Sequence, residues 1–198
     1  MTKPLGLTFP LAPACDVTVQ IGPFEMNAND AILTVDCAGD FALLFLKEEQ
    51  GGRWFHVNSV SYPQGDTFGD LKTRALNIYS PNTKDLVVEH LIGDHGTGYL
   101  EEYFVILRVV GGQLRAVLQT IEHYFRSGFP GVNDVDEQST FTFDAPTAKE
   151  PGAVAERLVI KTDKFPQIVL ERGFSWDNAS NMYAPDGWDT IKIPSQPQ

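Results

Sequence analysis

The residues best placed to do chemistry lie in EHLIGDHGTGYLEE, where His90, Asp94, His95 and Glu101 bring imidazole and carboxylate groups into one short span. Such donors suit zinc or another divalent ion, provided that they converge. Along a strand, side chains alternate between faces, so His90 shares a face with Val88 and Ile92, while Asp94 and His95 fall in the turn. Convergence then requires the loop to curl back, and the plainer expectation is a hydrogen-bonded strand histidine beside a solvated turn. A second oxygen-rich run, NDVDEQ, offers Asn133, Asp134, Asp136 and Glu137 to calcium, but without the full spacing of a known calcium loop. It reads as an acidic surface loop.

Paired carboxylates such as Asp94 and Glu101 could in principle hydrolyse a glycosidic bond, a reaction that needs two carboxyls at a set separation across a cleft. Spacing in sequence does not supply that separation. In GFSWDNASNMYAPDGW, Trp176, Tyr183 and Trp188 could form a platform for a sugar or peptide beside Asp177 and Asn178, although aromatic rings in β proteins more often close a core. Asn178-Ala179-Ser180 matches a glycosylation sequon. The serine-nucleophile GxSxG, the P-loop and the GxGxxG turn are all missing. No catalytic, cofactor-binding or metal-ligating residue is assigned on this basis, and no cofactor is expected.

Cys15 and Cys37 are the only cysteines, too few for a cysteine-rich zinc knuckle and too far apart for a CxxC redox pair. They form either a disulfide, which needs an oxidising compartment, or two buried thiols that act as small hydrophobes. With 198 residues the chain can bury a core unaided. Fifteen basic against twenty-six acidic side chains give a formal charge of −11, which repels phosphate backbones and anionic lipid headgroups. Nucleic acid and membrane insertion are therefore not expected.

The elements that must position these residues are strands. EYFVILRVV, Gly111-Gly112 and QLRAVLQTIEHY spell a hairpin, because a two-residue reversal needs positive φ that glycine adopts freely. A helix over LRAVLQTIEHYFRSG is disfavoured by the same turn and by the β-branched residues before it. Two further hairpins are expected, one turning at Gln50-Gly51-Gly52 and one near Thr162-Asp163-Lys164. Gly51 and Gly111 stand sixty residues apart with similar flanks, a weak internal repeat. Strands are also expected in DVTVQIG, AILTVDC, TRALNIYS, DLVVEHLI, STFTFDA and TIKI. The whole reads as an all-β antiparallel meander of about ten to twelve strands, propeller-like or a two-sheet sandwich. Residues 1–14 form a proline-rich strap, with a faint echo of a lipoprotein export signal before Cys15; residues 15–193 form a single β domain and residues 194–198 a tail.

GDFALLFLKEEQGGRWFHVNSV, the long hairpin preceded by Gly96-Thr97-Gly98, and the closing ERGFSWDNASNMY ending at Tyr183 together resemble bacterial extracytoplasmic β-rich proteins of the FG-GAP or VCBS repeat class, over about residues 31–184. The resemblance implies periplasmic or secreted residence and a noncatalytic binding or scaffold role. The DxDxDG calcium loops of FG-GAP blades are absent, so calcium binding is not carried over. The expected function is a noncatalytic extracytoplasmic binding or structural module with an unknown protein or glycan partner. The alternatives are a β-fold hydrolase acting on glycans or peptides and an acidic neutralising partner of a basic protein in the cytosol, the latter favoured by free thiols at Cys15 and Cys37.

Overall fold

The computed structural model describes residues 15–26, 29–37, 40–49, 52–62, 68–94, 98–128, 131 and 133–191. The expected strap of residues 1–14, the tail of residues 194–198, and Gln50 and Gly51 of the first expected turn lie outside the described residues. The described residues form thirteen strands: β1 (Cys15–Gly22), β2 (Asp30–Cys37), β3 (Asp40–Glu49), β4 (Arg53–Tyr62), β5 (Phe68–Leu76), β6 (Asp85–Asp94), β7 (Tyr99–Val110), β8 (Gln113–Arg126), β9 (Val135–Phe143), β10 (Val154–Thr162), β11 (Ile168–Asp177), β12 (Met182–Pro185) and β13 (Asp189–Ile191). No helix among them is long and apolar enough to cross a membrane.

The strands form two antiparallel sheets in sequence order. One is β1-β2-β3-β4; the other runs from β5 to β12, with β13 added on β11 as its ninth strand. The meander and all three expected hairpins are present, and Gly111 and Gly112 adopt φ of 59° and 77° at the reversal. The expected segment LRAVLQTIEHYFR is strand β8. No closed barrel or propeller is seen among the described residues.

The strand count exceeds the expected ten to twelve because Met182–Pro185 adds to β11 after a turn that composition alone reads as loop. There the Asp177 carboxylate accepts from the Ala179 and Ser180 amides at 3.0 and 3.1 Å, and Asn181 takes the left-handed conformation, φ 55°. The strand expected at residues 73–80 instead ends at Leu76. Asn77 Nδ2 donates to the Thr83 carbonyl at 2.8 Å, and the Ile78 and Tyr79 amides donate to the Asp85 carboxylate, so side chains replace the ladder there.

Burial explains how the sheets stack. On β6 and β7, Leu86, Val88, Val105, Leu107 and Val109 meet Phe24, Ile32, Leu43 and Phe45 of the four-stranded side. The intervening Val87, Phe104 and Ile106 turn the other way, into a second core with Val154 of β10, Phe174 of β11 and Tyr183 of β12. The nine-stranded sheet therefore curls over itself, bringing Phe141 of β9 into a stack 3.9 Å from Phe104. Each fully buried side chain of this size contributes about 1.5–3 kcal/mol. Polar ties register the two sheets: Asn58 of β4 exchanges two hydrogen bonds with the Leu114 backbone, at 2.9 and 3.0 Å, and Gln20 donates to Thr73 at 2.7 Å.

A third cluster, Ala31, Leu33, Val35 and Leu46, packs with Cys15, Cys37, Leu44 and Trp54. Cys15 and Cys37 face each other at the end of the β1–β2 ladder and form a disulfide, which decides between the two readings of the cysteines. Closing a loop with a sequence separation of 22 restricts the unfolded chain by roughly 3 kcal/mol. The double variant Cys15→Ser/Cys37→Ser is expected to lose about that much stability in urea denaturation. An unchanged midpoint and slope would show that the crosslink does not constrain the unfolded chain.

Candidate functional site

Three neighbouring strands build a polar groove. In register, Thr142 lies opposite Ala155, Ala155 opposite Gly173, Thr140 opposite Arg157, and Arg157 opposite Glu171, so β9, β10 and β11 present these side chains together on one face. Ala155 and Gly173 leave the backbone bare at the floor. Asp186 folds over it, its amide donating to the Gly173 carbonyl at 2.8 Å, and a Cβ on Gly173 would stand only 2.7 Å from the Asp186 Oδ2. A side chain at that position would have to push the Asp186 carboxylate aside. With Gly187 and Asp189 these residues enclose a cavity of about 570 Å³.

Charge in the groove is mostly acceptor. Arg157 Nη1 stands 3.7 Å from Glu171 Oε1, while Asp186 and Asp189 have no ion-pair partner among the described residues. The intervening Glu156 is 2 % exposed. It is held by Arg172 Nε at 2.7 Å and by the Ser139 hydroxyl at 2.6 Å, and Arg172 also donates to Thr120 at 3.1 Å. Arg172 in turn stacks 4.1 Å from the Trp188 ring. This buried pair, satisfied at several atoms, fixes the strands beneath the groove rather than offering itself to a ligand. The arrangement can hold a ligand rich in hydrogen-bond donors.

A different group carries a strong electrostatic perturbation. The β7–β8 ladder shifts register between Glu102 and Tyr103, leaving Glu122 as the extra residue of a bulge. Its Oε2 is buried without a hydrogen-bond partner among the described residues. Burial first, and then the charges of Glu89 and Glu102, push its carboxyl up to about 7, against the opposing pull of Arg74 and Lys72. A carboxyl protonated near neutrality is what general acid catalysis requires. Glu122 does not line the groove.

The residues nominated from sequence are largely dispersed. His90 is buried between the sheets, Asp94 ends β6, and His95 lies outside the described residues. Glu101 accepts from the Tyr103 hydroxyl at 2.6 Å. No group of three metal-ligating side chains assembles among the described residues. His90 differs from the hydrogen-bonded strand histidine expected, because its Nε2 has no partner among the described residues. Of the run expected as an acidic loop, Asp136 and Glu137 belong instead to strand β9; Asp134 accepts from the Gly128 amide at 3.0 Å, Asp136 pairs with His123 at 2.9 Å and Lys161 at 3.7 Å, and Asn133 accepts from Lys164. These oxygens are turned to protein donors.

Trp176 and Tyr183 close the second core: their rings lie 5.3 Å apart, Tyr79 abuts Trp176 at 4.7 Å, and the Tyr183 hydroxyl donates to the Gly152 carbonyl at 3.1 Å. Asn178 Oδ1 accepts from the Trp176 indole at 3.1 Å. Trp188 stands apart, on Arg172, so the three rings do not form one platform. Sequence reasoning missed both the groove and Glu122. The isolated Gly173 inside a strand pattern was a usable signal for close backbone approach, whereas nothing in TIEHYF announces a bulge.

No protein-family model matches the chain, and neither a curated protein nor a solved structure matches it. What the fold and the groove define is a two-sheet all-β protein with an acceptor-rich surface cavity.

Glu122 gives a pH-dependent prediction. Its folded value is raised, so the folded state binds more protons between about 4.5 and about 7, and stability falls as pH rises through that window. Glu122→Gln is expected to be more stable than the parent at pH 8, by on the order of 1 kcal/mol after solvent screening, with the gain vanishing near pH 4.5. Denaturation midpoints across that range check it, and equal stability at pH 8 would contradict it.

Proposed function

We propose that the protein is a noncatalytic, extracytoplasmic binding module that holds a donor-rich polar ligand in the groove of β9, β10 and β11. The observation that carries the reading is the groove itself, a bare floor at Ala155 and Gly173 walled by the hydroxyls of Thr140 and Thr142 and by Asp186 and Asp189. Both glutamates at that site are engaged by guanidinium groups, so the two aspartates are left to meet ligand donors. Residence outside the cytoplasm is supported by the Cys15–Cys37 disulfide, which reducing compartments rarely maintain. The formal charge of −11 favours a partner carrying ammonium groups or hydroxyls over an anionic one.

Trp188, between the lining residues Gly187 and Asp189 and stacked on Arg172 beneath the groove, gives an optical readout. Titration with a trilysine peptide and with chitotriose is expected to change its emission for at least one of them, and Asp186→Asn with Asp189→Asn is expected to weaken that binding about tenfold, a cost typical of losing one charge-assisted contact. Binding unaffected by the two substitutions, or no binding of either probe, would count against the groove.

A second reading, hydrolysis of a glycan or peptide, rests on Glu122 alone, whose carboxyl beside Glu89 and Glu102 has the protonation a general acid needs. If it holds, Glu122→Gln abolishes turnover of a polymeric glycan or casein while leaving ligand binding in the groove intact.

A further inference from the structure

His90 lies on the face of β6 that meets the four-stranded sheet, and is 4 % exposed. Two rings from that sheet approach it edge-on: Phe41 of β3, with centroids 5.9 Å apart, and Tyr62 of β4, at 5.1 Å. Its cross-strand neighbours are Leu71 of β5 and Tyr103 of β7. Five strands from both sheets thus meet around one imidazole, whose Nε2 finds no hydrogen-bond acceptor or donor among the described residues.

The ionisable groups facing it offer an imidazolium little. Burial pushes the Tyr62 phenol up to about 12, and the hydrogen bond to Glu101, ahead of burial, pushes Tyr103 to about 12, so both are neutral at physiological pH. The Glu101 carboxylate is engaged by the Tyr103 hydroxyl at 2.6 Å. Phe41 and Leu71 bring no charge. A neutral imidazole is tolerated in such a seam, whereas a proton on Nε2 is left without an acceptor among the described residues.

We propose that His90 is an acid-sensitive latch between the sheets: its protonation parts β3 and β4 from β6 and β7 and opens the first core, while the second core stays closed. The geometry localises the effect. Val154, Phe174 and Tyr183 lie in the core on the opposite face of β6 and β7, and the disulfide crosslinks β1 to β2 without bridging the seam. Burial holds His90 below its ordinary 6.5 in the closed state. Once the seam opens, the ring titrates normally and takes up a proton first, so closure is weakened as pH falls below 6.5 and is fully retained above it.

Amide hydrogen exchange on the full-length chain with the disulfide intact, at pH 7.5 and 5.0 and normalised to intrinsic rates, tests the proposal. Acidification is expected to raise the opening equilibrium of residues 30–37 and 41–48 about tenfold, the equivalent of one unit of differential protonation, while residues 154–162 and 168–177 change much less. His90→Leu and His90→Gln, which carry no titrating ring, are each expected to abolish the difference. An acid response that persists in either folded variant overturns the latch. So does an equal loss of protection in both sheets of the unmodified protein, a comparison that needs no variant to fold.

Discussion

The fold rests on the burial of β6 and β7 on both faces. Along Val105, Ile106 and Leu107 consecutive side chains enter different cores, so neither face of this hairpin can be left to water. The rest of the chain supplies the two covers. β1 to β4 form a separate sheet laid on one face, and β9 to β12 continue the same sheet and bend round to the other. A meander makes both possible without crossovers, since within each sheet successive strands pair as neighbours, apart from β13, which returns to β11.

This organisation explains what was legible in the sequence. Gly111-Gly112 announced the central hairpin because its reversal needs positive φ, and continuous apolar runs such as AILTV and YFVIL marked strands buried on both sides. What periodicity could not reveal was which cover lies on which face, since a run buried on both sides carries no alternation. Nor could local composition foresee β12, which exists because β11 offers it an edge, or the end of β5, where the Asp85 carboxylate captures the Ile78 and Tyr79 amides. The perturbed groups were invisible for the same reason. Glu122 owes its state to a register shift and to Glu89 and Glu102 on neighbouring strands, and His90 owes its own to rings brought by another sheet.

Asp85 shows how the same layered packing treats a buried charge that has partners. It accepts from Arg108 at 3.0 Å, and Arg108 lies 3.4 Å over the Tyr79 ring and also faces Trp176. Burial still outweighs the guanidinium and raises the carboxyl, so the pair anchors the loop after β5 at an electrostatic cost. His90 Nε2 and Glu122 Oε2 have no hydrogen-bond partner of this kind among the described residues, and the two groups act in opposite senses. The imidazole weakens the fold as it gains a proton in acid, and the carboxyl weakens it as it loses one toward neutrality.

A molecule whose central strands have no free face can present a polar groove only at its periphery. On β9, β10 and β11, Phe141, Phe143, Val154 and Phe174 go to the second core, and the residues between them, Thr140, Thr142, Ala155 and Gly173, are released to the other face. That alternation is the one-sided pattern that β6 and β7 cannot afford, and it is why polar chemistry collects there. The groove is therefore anchored to the core opposite the His90 seam, so acid opening of one sheet can proceed while the strands that line the groove keep their register.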